Sequence, residues 1–322
     1  MTEENFELAT VQVPSPGQGE LMVKNLWLSI EAGMRALLHE GDAHFGFGKG
    51  KPVRGFAVGQ IIQSRHPRFP KGGYITGLCN WQEYYISNGE GMQIIDPNLV
   101  PVHHYLTVMG AMAATAYFGL LDVGRIKAGE TVGVSAAAGS VGSVACQIAK
   151  LTGCRVVGTA GSDEKVDWLI NELGIDAAIN YKKVDDLQEA MGAACPEGID
   201  VYFDNVAGKS LEAALEVMKP RGRILACGTV HDYDGGGPAG PANYLQITQK
   251  RLSVQGFSVL DYMDRMPEYL SRMSGWITEG KVRSRETVYE GIENAVAAWI
   301  GLFQGKNIGK MLVKLGDPDK VE

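Results

Sequence analysis

The run SAAAGSVG at residues 135–142 has the composition of a turn that binds a pyrophosphate. Small side chains let backbone N–H groups approach phosphate oxygens, and the N-terminus of a following helix adds a partial positive charge. Gly142 would let that helix pack closely on the preceding strand. The run departs from the full G-x-G-x-x-G pattern, because Ala137 stands in place of the first glycine. The residues expected to contact the pyrophosphate are Ala136, Ala138, Gly139, Ser140, Val141 and Gly142.

The positions after the next strand bear on which dinucleotide would bind. NAD sites usually place a carboxylate about 20 residues after the turn, where it holds the ribose 2′-OH. Here the strand ends in TAGS at residues 159–162, and Asp163 comes slightly later, where it could cap a helix. Lys165 could pair with a 2′-phosphate and Ser162 could donate a hydrogen bond to it, although a solvated surface lysine is the alternative. Tyr181 could present its hydroxyl to the same phosphate or pack as an ordinary aromatic side chain.

The apolar, small-residue stretch at residues 107–123 predicts a helix, and strand-like and helix-like segments alternate after it. The strand-like segments begin near residues 131, 155, 177, 200, 223 and 252. This alternation predicts a doubly wound α/β fold, in which helices cover both faces of a parallel sheet. Because the small-residue run lies between the first strand and the first helix, a dinucleotide turn is favoured over a chance small-residue helix start.

The N-terminal hundred residues have a different texture. Short apolar runs such as residues 21–24 are punctuated by proline and glycine, which predicts a barrel-like or sandwich domain rich in β-structure. The tail resumes short strands around one helix at residues 295–303. The expected division is 1–106 as the first domain, 107–282 as the nucleotide-binding domain, and 283–322 as a segment returning to the first domain.

One loop stands out after the fifth predicted strand. Residues 232–241 contain four glycines and two prolines. The carboxyl ends of strands are where open α/β sheets bind ligands, so this loop is a candidate lid.

Composition and charge exclude several classes of protein. The chain has 322 residues, 45% of them hydrophobic, which is enough for two globular domains. Its net charge of −7 argues against a nucleic-acid-binding protein, which would carry a basic surface. An acidic N-terminus and the lack of an apolar run near 18 residues predict a cytoplasmic protein without a membrane partner. Five cysteines without a C-x-x-C pair predict free thiols.

Five motifs in sequence order resemble those of one family. They are VSAAAGSVGS (134–143), GSDEK (161–165), INYK (179–182), YFDNV (202–206) and GKNIGK (305–310). The chain resembles the zinc-independent medium-chain reductases of the leukotriene B4 12-hydroxydehydrogenase group, which includes prostaglandin reductases, plant alkenal double-bond reductases and bacterial curcumin reductases. The resemblance covers nearly the whole chain.

The resemblance implies a fold, an activity and a cofactor. It implies a Rossmann domain and a GroES-like substrate domain built from both ends of the chain, in a homodimer. Members reduce the C=C bond of α,β-unsaturated ketones and aldehydes with NADPH, and some also oxidise an alcohol. The pattern assigns Lys165 and Tyr181 to the 2′-phosphate, with Gly161 nearby. Along the rest of the cofactor it assigns Asn205, Cys227, Tyr233, Phe257, Val259 and Asn307.

Two departures from the family pattern bear on substrate choice. The family's Asp-Pro-Tyr-Met-Arg is EAGMR at residues 31–35, so Gly33 should enlarge or reshape the pocket. The family's Gly-Trp-Gln-Glu-Tyr is NWQEY at residues 80–84, which would put the polar Asn80 at the pocket rim.

Tyr233 is the candidate catalytic residue of the implied reaction. Hydride addition to the β-carbon of an enone leaves negative charge on the carbonyl oxygen, and one preorganised donor there is often worth ~3 kcal/mol. The candidate donors are the Tyr233 hydroxyl and the 2′-OH of the cofactor ribose. A proton then reaches the α-carbon from Tyr233 or from water. The alternative role for Tyr233 is that of a loop aromatic that only shields the site.

A metal is not expected. Where zinc-dependent relatives carry Gly-His-Glu, this chain has RGFA at residues 54–57, and Cys79 and His66 lack a third ligand. His103 and His104 are expected to face solvent or to cap a helix. Three rival functions stay open: a quinone oxidoreductase of the same superfamily, a metal-free alcohol dehydrogenase, and a non-catalytic NADPH-binding protein.

Overall fold

The protein is described from a computed structural model that covers residues 1–38, 50–233 and 240–320. Contacts between Cα atoms divide the chain into two compact units. The first unit joins Met1–Thr107 to Arg285–Glu322, and the second unit is Val108–Ser284. Among the described residues, no helix has both the length and the apolar character needed to cross a membrane.

The elements follow one another along the described chain. The strands are β1 (Leu21–Ile30), β2 (Arg54–Ser64), β3 (Tyr74–Asn80), β4 (Tyr84–Ser87), β5 (Gln93–Ile95), β6 (Thr131–Val134), β7 (Arg155–Ala160), β8 (Ala177–Asn180), β9 (Ile199–Asp204), β10 (Met218–Ala226), β11 (Ser253–Gly256), β12 (Glu286–Glu290) and β13 (Lys310–Lys314). The α-helices are α1 (Ala111–Phe118), α2 (Ser140–Leu151), α3 (Asp163–Asp167), α4 (Leu187–Ala194), α5 (Gly208–Val217), α6 (Val230–Tyr233), α7 (Leu245–Lys250), α8 (Met266–Thr278) and α9 (Ala295–Phe303). Short 3-10 or π-helical segments lie at Glu3–Asn5, Ala32–Leu38, Val102–Leu106, Gly119–Val123, Trp168–Glu172, Val259–Arg265 and Ile292–Asn294.

The second unit is built on a parallel sheet. Its strand order is β11-β10-β9-β6-β7-β8, which is the doubly wound Rossmann order. All four residues of β6 are buried, as expected for a central strand covered by helices on both faces. The order reverses between β6 and β9, and open α/β sheets bind their ligands at such a reversal. The predicted fold class is therefore confirmed.

The first unit is built on a mixed sheet. Its strand order is β12-β13-β1-β2-β3-β5, while β4 pairs with β1. β1 is antiparallel to β2, β4 and β13, and register shifts near Met22 and Asn25 mark β-bulges in its pairing with β2. Trp299 of α9 is fully buried against inward-facing side chains of β1 such as Leu28. The C-terminal segment thus belongs to the sheet and core of the first unit.

Several predicted helix and strand limits are wrong. The helix predicted over 107–123 begins only at Ala111, and its end, Gly119–Val123, is π-helical. The predicted fifth strand ends at Ala226, so Cys227 lies just beyond it. Helix α8 was not predicted, although its buried residues Met266, Tyr269 and Met273 have the i, i+3, i+7 spacing of an amphipathic helix.

Candidate active site

The turn between β6 and α2 is closed by short backbone contacts. Ala136 adopts a left-handed conformation with φ of 48°, which non-glycine residues rarely do. The N–H of Gly139 donates to the Ala136 carbonyl oxygen at 2.9 Å, and Gly139 is the N-cap of α2. Ala137, which stands in place of the first glycine, is buried and donates its N–H to the Thr159 carbonyl oxygen at the end of β7. The residue with the left-handed backbone is therefore Ala136, one position before Ala137, which stands where the G-x-G-x-x-G pattern has its first glycine.

This turn fits a pyrophosphate. A Cβ added at Gly142 would lie 2.3 Å from the Ala136 carbonyl oxygen, so only glycine lets α2 begin this close to the turn. The first N–H groups of α2 have no acceptor within the helix, and glycine at the N-cap brings no side-chain acceptor. These donors and the helix dipole favour a bound anion. Contact of Ala136, Ala138 and residues 139–142 with the pyrophosphate stays a prediction.

A buried hydrogen-bond network joins the carboxyl ends of β6 and β9. The Ser135 hydroxyl donates to Asp204 Oδ1 at 3.1 Å and accepts from the Asn205 N–H at 2.8 Å. The Asn205 amide nitrogen donates to the Ser135 carbonyl oxygen at 2.7 Å. Asp204 Oδ1 also accepts the N–H of Ala207. Burial raises the pKa of Asp204, while the hydrogen bonds from Ala207 and Val206 act against that rise.

This network changes what is expected of Asn205. The Asn205 residue is 7% exposed, and its amide nitrogen is used in the hydrogen bond to the Ser135 carbonyl oxygen. Asn205 therefore holds the ends of β6 and β9 together at the point where the strand order reverses. Ser135 and Asp204 both lie inside the quoted motifs but were not predicted as site residues. A polar residue at the carboxyl end of each of two central strands was the signal that could have identified them.

The residues predicted for the 2′-phosphate lie together at the ends of β7 and β8. Ser162 is the N-cap of α3, and its hydroxyl oxygen accepts the Lys165 N–H at 3.3 Å. A Cβ added at Gly161 would lie 2.9 Å from the Tyr181 hydroxyl oxygen, which therefore sits directly over this glycine. Tyr181 is 47% exposed, so it is not a core aromatic residue.

Two lysines are held near one another in this group. Burial lowers the pKa of Lys165, the positive charge of Lys182 lowers it further, and Glu164 acts in the opposite direction. The Lys182 side chain also lies close to Gly161. Like charges held together are unfavourable, and a bound phosphate would relieve that repulsion. Lys182 was quoted in a motif but not assigned a role.

Asp163 does not cap α3, contrary to the sequence analysis. Its carboxylate accepts from the Asn180 amide nitrogen at 2.7 Å and pairs with Lys183, and these contacts lower the pKa of Asp163. The cap is Ser162, one residue earlier. The carboxylate thus joins the ends of β7 and β8.

Tyr233 and Cys227 lie beyond the carboxyl end of β10. The Cys227 N–H donates to the Asp204 carbonyl oxygen at 2.9 Å, which ties this segment to β9. A Cβ added at Gly228 would lie 3.6 Å from the Tyr233 hydroxyl oxygen and 3.4 Å from the Asn205 carbonyl oxygen. Burial raises the pKa of the Cys227 thiol to about 12, and its predicted contact with the cofactor stays a prediction. Residues 234–239 of the candidate lid lie outside the described residues.

Phe257 and Val259 follow β11. The Phe257 ring packs edge-on against Phe203, with ring centroids 6.0 Å apart, and a Cβ added at Gly119 would meet it at 2.5 Å. Val259 begins a 3-10 segment capped by Ser258. The Phe257 ring therefore has packing partners in the second unit, and contact of Phe257 and Val259 with the cofactor stays a prediction.

Asn307 belongs to the first unit. It is 7% exposed, and its amide nitrogen donates to the Gly309 carbonyl oxygen at 2.9 Å. This hydrogen bond shapes the loop before β13. Its predicted contact with the cofactor stays a prediction.

A buried ion pair anchors the segment that departs from the family pattern. Lys310 is 3% exposed and donates to the Glu31 carboxylate at 3.3 Å and to the Ile30 carbonyl oxygen at 3.1 Å. The Ser29 hydroxyl donates to the same carboxylate. Glu31 thus holds the start of the Ala32–Leu38 segment, and the sequence analysis missed this role of Lys310.

The two departures themselves lie in the first unit. A Cβ added at Gly33 would meet no heavy atom of the described residues within 4 Å, and the expected effect of Gly33 on the substrate pocket stays a prediction. Asn80 is half-buried at the end of β3. The next residue, Trp81, packs against Trp299 with ring centroids 5.6 Å apart.

The groups weighed for catalytic zinc have other partners. Cys79 is a buried thiol whose pKa is raised to about 12, and it accepts a hydrogen bond from the Asn25 amide. His66 Nδ1 accepts the Arg68 N–H at 3.1 Å. All five cysteines are free, as predicted.

Comparisons with known proteins agree with this architecture. Residues 1–95 match the family described as the N-terminal domain of oxidoreductase, and residues 140–275 match the family described as zinc-binding dehydrogenase. Prostaglandin reductase 1 of Mus musculus is 43% identical, over 97% of this chain and 94% of the relative. The NADP(+)-dependent 2-alkenal reductase of Nicotiana tabacum is 41% identical, over 97% of this chain and 92% of the relative. The crystal structure of CurA from Vibrio vulnificus in complex with NADPH superposes with a TM-score of 0.92 at 38% identity, covering 99% of this chain and 96% of that one.

A Rossmann sheet with a pyrophosphate turn, together with a mixed-sheet unit built from both chain ends, defines an oxidoreductase of the medium-chain type. The chain belongs to the zinc-independent group of medium-chain dehydrogenases/reductases.

Proposed function

We propose that this chain uses NADPH to reduce the C=C bond of α,β-unsaturated ketones and aldehydes without a metal. The observation that carries the proposal is the group beside β7 and β8, where the Tyr181 hydroxyl and the Lys182 side chain lie over Gly161 and the positive charge of Lys182 acts on Lys165. A relative named as an NADP(+)-dependent 2-alkenal reductase and a solved relative in complex with NADPH support the same chemistry.

The chain's own residues would hold the cofactor at three places. The α2 N-terminus and the turn at residues 136–142 would bind the pyrophosphate, because the first N–H groups of α2 have no acceptor within the helix. Lys165, Tyr181 and Ser162 would bind the 2′-phosphate through charge-assisted hydrogen bonds. Asn205 and Cys227 would line the path between them along the carboxyl ends of β9 and β10. When bound, NADPH supplies the hydride.

Tyr233 would act on the substrate's carbonyl oxygen. Its hydroxyl lies beside Gly228, at the strand ends where the ligand is expected. A donor at this place stabilises the negative charge that develops on the oxygen when the β-carbon gains hydride. Tyr233 would then donate its proton to the α-carbon, directly or through water.

We also infer how the whole chain is organised. The unit Val108–Ser284 would bind NADP(H), and Met1–Thr107 with Arg285–Glu322 would bind the substrate. A homodimer is supported by β11, an edge strand of the second unit whose four residues are all exposed. A cytoplasmic location is supported by the five free thiols, since disulfides are rare in that compartment.

The test is a screen of cofactor oxidation over enals, enones, nitroalkenes, quinones and allylic alcohols, with NADH as the control cofactor. The proposal predicts that enals and enones are turned over fastest with NADPH and that the product is the saturated carbonyl compound. Faster turnover of quinones, or an allylic alcohol as the product, would contradict it.

A further inference from the structure

Three side chains that commonly bind metals come together in the first unit. His103 and His104 lie on the 3-10 segment Val102–Leu106, and Glu286 is the first residue of β12. One ligand atom from each lies within 4.8 Å of the other two. The histidines were predicted to face solvent or to cap a helix, but both rings are half-buried beside this carboxylate.

The fold holds these side chains from several directions. The His103 ring packs against Trp27 of β1, with centroids 5.2 Å apart, and the two imidazole rings meet edge to face at 4.8 Å. The Thr107 hydroxyl donates to the His104 carbonyl oxygen, which supports the end of the 3-10 segment. Glu286 is fixed by the pairing of β12 with β13, where it lies opposite Lys310 in the register.

The ring nitrogens are suited to bind a cation. His104 Nδ1 is buried and has no hydrogen-bond partner among the described residues. A buried polar atom without a partner is costly, and a metal bond would remove that cost. Burial lowers the pKa of both imidazoles, which favours the neutral form that binds metals, and the Glu286 carboxylate supplies negative charge to both.

We propose that His103, His104 and Glu286 bind one Zn²⁺, with water completing the coordination. Two imidazole nitrogens and one carboxylate form a common zinc donor set. Tetrahedral Zn²⁺ with bonds of about 2.0–2.1 Å places its ligand atoms roughly 3.3 Å apart, so side-chain movements of about 1 Å would close the site.

The ion would have a structural effect and no role in reduction. It would join the 3-10 segment, which lies near the end of the N-terminal part of the first unit, to β12, which opens the C-terminal part. Because a ligand that binds only the folded state stabilises it, Zn²⁺ would raise the unfolding temperature of the chain.

The test is a titration of chelator-treated full-length protein with Zn²⁺ at pH 7.5, in competition with a chromogenic chelator. One Zn²⁺ per chain is expected. Because even second-shell changes weaken metal sites by about 10- to 100-fold, His104→Gln and Glu286→Gln should each weaken binding by about 100-fold or more. His66→Gln removes an imidazole of the same unit that lies outside the cluster, and it should leave the affinity unchanged.

Two results would overturn the proposal. One is the lack of stoichiometric binding by the wild-type protein, and the other is equal affinity in the wild type and both cluster variants. Circular dichroism shows whether the variants fold. If they do not, the Co²⁺ spectrum of the wild-type protein decides: intense visible bands of a four-coordinate ion are expected, and the weak spectrum of hydrated Co²⁺ contradicts the site.

Discussion

The Tyr233 hydroxyl and the Asn205 carbonyl oxygen both lie close to Gly228, at the carboxyl end of the parallel sheet. Replacing Tyr233 with Phe removes the proposed donor and proton source but keeps the ring. Turnover of an enone should fall between several-fold and about 100-fold, because one preorganised donor stabilises the transition state by a few kcal/mol. The affinity for NADPH should stay within about twofold, since ring packing is kept. Steady-state kinetics and a fluorescence titration measure the two quantities.

Tyr244 provides a matched control for this residue. It is 65% exposed in the segment that follows, so Tyr244→Phe removes a hydroxyl that has no proposed role. Its turnover should equal that of the wild-type protein. If Tyr233→Phe also leaves turnover unchanged, Tyr233 only shields the site and the proton comes from elsewhere.

Residue types alone predicted part of the candidate site. Lys165 and Tyr181 could be selected because each follows a predicted strand and carries a group that binds phosphate. Ser135 and Asp204 could not be paired in advance, because their hydrogen bond joins residues far apart in sequence. It exists because β6 and β9 are neighbours in the sheet, which residue types do not reveal.

The start of α2 gives the sharpest prediction at the scale of one element. In Gly142→Ala the new Cβ would lie 2.3 Å from the Ala136 carbonyl oxygen and 2.8 Å from the Ala137 Cα, so the turn must open. We expect a loss of about 1–3 kcal/mol in the free energy of unfolding, together with a marked loss of NADPH affinity. Chemical denaturation and cofactor titration measure these effects.

Gly192 of α4 is the control for this substitution. A Cβ there would meet no heavy atom of the described residues within 4 Å, so Gly192→Ala should be neutral or stabilising by about 0.4–1 kcal/mol. Equal behaviour of the two variants would show that the close approach at Gly142 does not shape the turn.

Helices and strands could be predicted from the sequence where a single local pattern of apolar residues determines them. Strands β6 to β10 each contain a short apolar run and are separated by helices, and this alternation also predicts a parallel sheet. The π-helical segment Trp168–Glu172, which continues α3, was not predicted, because no local sequence pattern that distinguishes it from an α-helix was recognised. The order of β1 to β5 could not be read, because it depends on pairs such as β1 with β13 that are distant in sequence.

At the scale of the whole molecule, the proposed NADPH-dependent reduction requires that the unit Val108–Ser284 recognise the phosphorylated ribose of the adenosine. The return of the C-terminal segment to the first unit was predictable from the resumption of strands after residue 283. Selectivity between the two nicotinamide dinucleotides was inferred from the lack of a carboxylate at residues 159–162 and from Lys165. That inference can be tested on the intact protein without any substrate.

The most direct measurement is a titration of the wild-type protein with NADPH and with NADH. NADPH should bind at least about tenfold more tightly, because charge-assisted hydrogen bonds to the 2′-phosphate are worth about 1.5–3 kcal/mol. Lys165→Ala should lose that preference without weakening NADH binding, whereas Lys71→Ala, which removes the same charge from an exposed site in the first unit, should keep it. Equal affinity of the wild-type protein for NADPH and NADH would contradict the account.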